Sequence, residues 1–124
     1  LFDFTKNILA DNPITLFNNG DMQRDFTYVD DIVQGIECVT DNMTPRDMYS
    51  IGRGEVVELQ RFVDAIQDTL GKKAIIEYGP MHPADAKATA SDTTKLKKLG
   101  YAPKTSIEEG VQNFVDWYKE YHSV

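Results

Sequence analysis

The chain has 124 residues, 41% of them hydrophobic, and 13 Lys and Arg against 20 Asp and Glu give it a formal charge of −7. That length suits one domain with a core of its own, and no apolar run nears the roughly 20 residues that cross a bilayer. The single Cys38 excludes an internal disulfide and a CxxC motif, and the acidic balance argues against nucleic-acid and anionic-membrane partners, which need clustered Lys and Arg; a soluble cytoplasmic protein is expected.

The chain opens on Leu1 rather than Met, with Phe4, Ile8 and Leu9 already at helical spacing, as though cut from something longer. Residues 1–10 suit a helix that Asp11-Asn12-Pro13 stops, because proline restricts the residue before it and cannot continue the hydrogen-bond ladder. Ile14 to Phe17 alternates as a strand, Asn18-Asn19-Gly20-Asp21 is a turn, and Met22 to Val29 is a second extended piece.

Asp30 or Asp31 is placed to cap the next helix, on which Ile32, Val33, Ile36 and Val39 follow at helical spacing until Asp41-Asn42 and Thr44-Pro45 close it. Met48 to Ile51 reads as a strand running into Gly52-Arg53-Gly54. Leu59, Phe62, Val63, Ile66 and Leu70 form the stripe of an amphipathic helix ended by Gly71. Ala74 to Tyr78 is a strand, the next stretch is irregular to about Ala90, and Asp92 to Leu99 is a short helix stopped by Gly100. Ser106 with Glu109 makes a capping box for a last helix striped by Ile107, Val111, Phe114, Val115 and Tyr118. The mixture is α/β, with strands too few and short for a complete doubly wound nucleotide-binding sheet.

Several catalytic patterns fail on position. The third glycine of a GxGxxG loop starting at Gly52 falls on Val57, so that motif is broken. No tyrosine has a lysine four residues on, so the Tyr-x-x-x-Lys dyad in which an ammonium lowers a phenol's pKa is absent. His82 and His122 have no metal-ligand spacing. Cys38 suits a small buried hydrophobe, and the lysines from Lys87 to Lys104 lack the interleaved aromatics of a base-stacking surface. Gln23 to Ile32 resists a purely structural account, because Arg24 at the mouth of a turn offers a bidentate fork suited to phosphate oxygens.

Arg24-Asp25-Phe26-Thr27-Tyr28-Val29-Asp30-Asp31-Ile32 resembles a signature of the extended short-chain dehydrogenase/reductases, in particular nucleotide-sugar epimerases and dehydratases. Tyr49-Ser50-Ile51-Gly52-Arg53-Gly54 is similar to that family's Y-N-I-G-x-G, and His82-Pro83-Ala84-Asp85 to its R/Q-P-G-D. Ala90 to Leu96 is similar to A-D-(T/P)-x-K-L, and Gly100 to Gly110 to the terminal G-(Y/W)-x-P-x-(T/V)-x-(I/L)-x-x-G. Together with Phe4-Thr5-Lys6 and Gly20-Asp21-Met22, the pattern resembles most the UDP-glucuronate 4-epimerase group.

The resemblance implies that residues 1–124 are the C-terminal substrate-binding part of a Rossmann-type enzyme, truncated from a longer chain, with the Rossmann core largely absent. NAD and the Tyr-x-x-x-Lys dyad would then belong to the missing N-terminal part, leaving no catalytic or cofactor-binding residue here and an inactive fragment. Carried over by position, Arg24 binds the diphosphate of a UDP-sugar, the backbone of Thr15 and Phe17 holds the uracil edge, and Asp85 accepts hydrogen bonds from the ribose. His82 stands where the family often has a phosphate-contacting Arg, Ser50 replaces Asn, and Ala84 replaces Gly. The implied reaction inverts the sugar C4 through a 4-keto intermediate, and the implied complete enzyme is a homodimer. A dehydratase or decarboxylase lobe, or a non-catalytic nucleotide- or protein-binding module, are the alternatives.

Overall fold

The elements run α1 (Phe2–Leu9), β1 (Pro13–Leu16), β2 (Gln23–Arg24), α2 (Val29–Asp41), β3 (Val57–Glu58), α3 (Leu59–Leu70), β4 (Ile75–Tyr78), α4 (Thr94–Lys97) and α5 (Ile107–His122). They are taken from a computed structural model that describes residues 1–43 and 45–124. The class is the expected mixture of helix and strand.

The core forms where the amphipathic stripes meet. Val63 and Ile66 of α3, Val111 and Val115 of α5, Ile8 of α1, and Ile14 and Leu16 of β1 are all buried in one cluster. Burial of each such side chain stabilises the fold by roughly 1.5–3 kcal/mol. Strand β1 alternates as a half-buried strand must, with Ile14 and Leu16 inward and Pro13 and Thr15 outward.

Both long helices end as their sequences require. Gly71 takes the left-handed conformation, with φ 65°, that stops α3, and Ser106 Oγ accepts the Glu109 N–H at 3.1 Å at the start of α5, the hydroxyl half of the capping box. Two small sheets organise the loops. β1 pairs parallel with β4, Ile14 opposite Ile76 and Leu16 opposite Tyr78, and β2 pairs antiparallel with β3, Arg24 opposite Val57.

The structure departs from the sequence reading at several points. The expected strand over Met22 to Val29 shrinks to Gln23–Arg24, because β3 offers only two residues to pair with. Met48 to Ile51 belongs to no strand and to neither of the two sheets of the described residues. The helix expected over Asp92 to Leu99 is confined to Thr94–Lys97. Tyr28 is the N-cap residue of α2, which has no side-chain cap, so neither Asp30 nor Asp31 caps it. Cys38 is half-buried rather than buried. The helix closes at Asp41 with Asn42 after it, and of the Thr44-Pro45 stop, Thr44 lies outside the described residues.

Candidate functional site

Strands β1 and β4 run parallel and end at Leu16 and Tyr78, and the crevice beyond the carboxyl ends of parallel strands is where ligands bind in α/β folds. The Gly79 N–H donates to the Leu16 carbonyl at 3.0 Å, which turns the Leu16 backbone toward β4. Strand alternation then turns the backbone N–H and C=O of Thr15 to the opposite edge of β1, where no further strand of the described residues pairs. A planar group with alternating acceptors and donors fits such an open edge.

A 3₁₀ turn over Phe17–Gly20 follows, in which Asn18 and Asn19 have φ of 51° and 53°. Asn tolerates this left-handed region better than most residues, because its short polar side chain bonds locally, and Asn18 Nδ2 donates to the Asp21 carbonyl at 2.9 Å. The turn leaves Phe17 exposed at the end of β1, beside the exposed Tyr78 at the end of β4. A Cβ built on Gly79 would touch both Thr15 and Phe17, so the loop leaving β4 starts against these two residues.

At the other end of that loop stands the charged part of the site. Arg24 Nη2 donates to Asp85 Oδ1 at 2.7 Å, while Nη1 donates to the carbonyls of Gln23 at 2.7 Å and Lys87 at 3.3 Å. The loop backbone is zipped onto β2: the Gln23 N–H donates to the Lys87 carbonyl at 2.8 Å and the Thr89 N–H to the Gln23 carbonyl at 3.3 Å. Lys87 pairs with Asp21 at 2.8 Å, and that hydrogen bond and charge hold its ammonium pKa above the ordinary lysine value. His82 lies in the turn before Asp85, its carbonyl accepting the Asp85 N–H at 3.0 Å and its Nδ1 the Ala84 N–H at 3.2 Å. Ala84 is not among the residues with positive φ, so this loop takes an alanine without backbone strain.

The structure therefore joins Arg24 directly to Asp85, groups Thr15 with Phe17 at Gly79, and strings His82 between the two clusters. Sequence reasoning missed what fixes this frame. Asp25 accepts the N–H groups of Arg53 at 3.0 Å, Gly54 at 2.9 Å and Ser91 at 3.1 Å, and so ties two distant segments to the residue beside Arg24. Buried Asp31 accepts the N–H groups of Lys104 at 2.9 Å and Thr105 at 3.0 Å. The crowding of carboxylates around Arg24 was the available signal, but local reasoning assigned Asp31 to its own helix.

Two other places bear on chemistry. An apolar cleft of about 400 Å³ lies between Phe26, Tyr28, Phe62, Ile107 and Phe114, and neither Arg24 nor Asp85 lines it. Its lining carries no charged side chain. At Gly52 an added Cβ would strike Ser91 and come within 2.9 Å of Asp25 Oδ2, and at Gly54 it would meet Thr93 Oγ1 at 2.6 Å. Those glycines are packed against the protein's own side chains and leave no cradle for a dinucleotide phosphate. Among the described residues there is no group of three or more His, Cys, Asp or Glu that could hold a metal ion, and no helix is long and apolar enough to cross a membrane.

Comparison with known proteins gives these residues a context. The family model described as GDP-mannose 4,6 dehydratase matches residues 2–114. Protein CapI of Staphylococcus aureus is 38% identical over 98% of this chain and 42% of its own length, and the UDP-glucuronate 4-epimerase of Thermodesulfobacterium geofontis is 37% identical over 97% and 38%. The crystal structure of UDP-glucuronic acid 4-epimerase from Bacillus cereus, in complex with UDP-glucuronic acid and NAD, superposes with a TM-score of 0.82 at 28% identity, covering 95% of this chain and 38% of that one. The chain thus spans about two fifths of the length of the relatives it matches.

Proposed function

Because the chain belongs to the family of the GDP-mannose 4,6 dehydratase model, among extended short-chain dehydrogenase/reductases that act on nucleotide sugars, we propose that residues 1–124 are the substrate-binding lobe of an NAD-dependent UDP-sugar 4-epimerase interconverting UDP-glucuronate and UDP-galacturonate. The observation that carries the reading is the pairing of Arg24 on β2 with Asp85 of the loop that leaves β4. Relatives named as UDP-glucuronate 4-epimerases support the choice of sugar.

Arg24 pairs with the diphosphate, since a guanidinium fork matches phosphate oxygens in both charge and geometry. The open edge at Thr15 and Phe17 takes the imide edge of uracil, and Asp85 accepts from the ribose hydroxyls. His82 lies along the path of the diphosphate and adds a weaker contact than an Arg would. Binding energy spent on the UDP retains the ligand while leaving the sugar free to turn, which an inversion at C4 requires.

NAD in this reading is not held at Gly52 and Gly54, which pack against Ser91, Asp25 and Thr93, and residues 1–124 carry no Tyr-x-x-x-Lys. In this reading the cofactor and the proton-transferring dyad come from sequence outside residues 1–124, and the complete enzyme is a cytoplasmic homodimer. The 124-residue chain then binds UDP without turning over UDP-glucuronate, even with NAD added.

Isothermal titration with UDP tests this. Arg24→Ala should weaken binding at least tenfold; unchanged affinity would remove Arg24 from the site, and product formation by the 124-residue chain would overturn the division of labour. A dehydratase lobe is the second reading, supported by the description of the matching family model. NMR of the products of the complete enzyme separates the two.

A further inference from the structure

We propose that Asp85 is an internal competitor for Arg24, so that recognition of the nucleoside and of the diphosphate are coupled through this one ion pair. The inference rests on the assignment of both residues to one UDP-sugar, and adds how the two subsites communicate. Three of the five guanidinium N–H groups of Arg24 are engaged without any ligand: one on Nη2 with Asp85 at 2.7 Å, and both on Nη1 with the Gln23 and Lys87 carbonyls. A phosphate that approaches along Nε and Nη2 meets the Asp85 carboxylate already seated on Nη2, and full use of that edge requires the carboxylate to leave. The two carbonyls belong to backbone fixed by the bonds between Gln23 and the Lys87–Thr89 segment; Asp85 is the acceptor that a side-chain rotation removes.

Exposure favours exchange. The Arg24 and Asp85 side chains are 26% and 37% exposed, and an ion pair this open to water contributes little and is easily broken. Phosphate, with more charge and more acceptor oxygens, is the stronger partner for a guanidinium. A ribose hydroxyl that bonds Asp85 draws the carboxylate away from Arg24, and this frees Nη2 for phosphate. By linkage the effect is reciprocal, so each half of the ligand improves the site for the other.

The experiment is isothermal titration of the full chain with inorganic pyrophosphate, alone and in the presence of uridine. Asp85→Asn should bind pyrophosphate about two- to fivefold more tightly than the unaltered chain, and uridine should give the unaltered chain a gain in the same direction that Asp85→Asn lacks. Asp21→Asn removes an equal charge from the neighbouring Lys87 pair, and should give the smaller gain of general electrostatics. Equal pyrophosphate affinity in the Asp85→Asn and unaltered proteins, including no detectable binding to either, overturns the competition. So does an equal gain in Asp21→Asn, or the absence of any uridine effect. Failure of the underlying site is read separately, from UDP affinity that survives Arg24→Ala.

Discussion

The Tyr101 phenol donates to the carbonyl oxygen of Gly52 at 2.6 Å, across 49 residues of sequence. Tyr101 is only 3% exposed, and burial, reinforced by the negative charges of Asp31 and Asp25, pushes its pKa above the ordinary tyrosine value. Its ionised form is thus disfavoured in the folded chain, and between pH 10 and the folded pKa the unfolded state holds fewer protons. The stability tied to this group is fully present below about pH 10 and falls as pH rises toward the folded pKa. Tyr101→Phe should lower stability at neutral pH by about 1–3 kcal/mol, the cost of leaving the Gly52 carbonyl unpaired, and should flatten the alkaline fall. Urea unfolding at pH 7 and at pH 10.5 measures both effects.

Asp31 holds the Lys104–Thr105 backbone rather than its own helix. Asp31→Ala strands two backbone donors and should cost about 2–4 kcal/mol, and Asp31→Asn, which keeps one acceptor oxygen, should cost distinctly less. Equal losses in the two variants, read from denaturant midpoints, would show that charge rather than hydrogen bonding matters there.

Gly52 and Gly71 are required for different reasons. At Gly52 a methyl group collides with Ser91 and Asp25, so Gly52→Ala should cost about 1–3 kcal/mol by overpacking and should weaken UDP binding by shifting the Asp25 frame. At Gly71 there is open space but φ is 65°, so Gly71→Ala should cost about 1–2 kcal/mol of backbone strain with UDP affinity unchanged. Thermal melts with paired UDP titrations distinguish them.

Helix α2 turns Val29, Val33 and Ile36 outward, each about half exposed or more, whereas Gly35 faces inward so closely that an added Cβ would lie 2.6 Å from Ile51 Cγ2. Val33→Lys should change the stability of the 124-residue chain by no more than about 0.5 kcal/mol, while Gly35→Ala should cost about 1–3 kcal/mol. A large loss in Val33→Lys would mean that this face is covered in solution.

Legibility followed the range of the physics. Helices α3 and α5 could be read because their apolar stripes, Gly71 and Ser106 are local features whose meaning does not depend on distant partners. The strand expected at Met48 to Ile51 failed because a strand exists only where another pairs with it, and the turn, cap and alternation rules say nothing about partners. In the candidate site, Arg24 stands out as a candidate for anion binding from its chemistry and setting, and Asp85 only through resemblance. Their contact spans 61 residues and was legible from neither.

The sequence by itself determined the helical stripes, the stop at Gly71, the lack of a dinucleotide loop and of a Tyr-x-x-x-Lys dyad, and the family to which the motifs belong. Only the tertiary structure decided which donors each carboxylate serves: Asp25 holds the backbone of Arg53, Gly54 and Ser91, Asp31 the backbone of Lys104 and Thr105, and Asp85 the Arg24 guanidinium. The reason is physical. A carboxylate near a helix start has local and distant donors within reach, and the choice among them is made by the packing of α3 and α5 that brings the distant loops together.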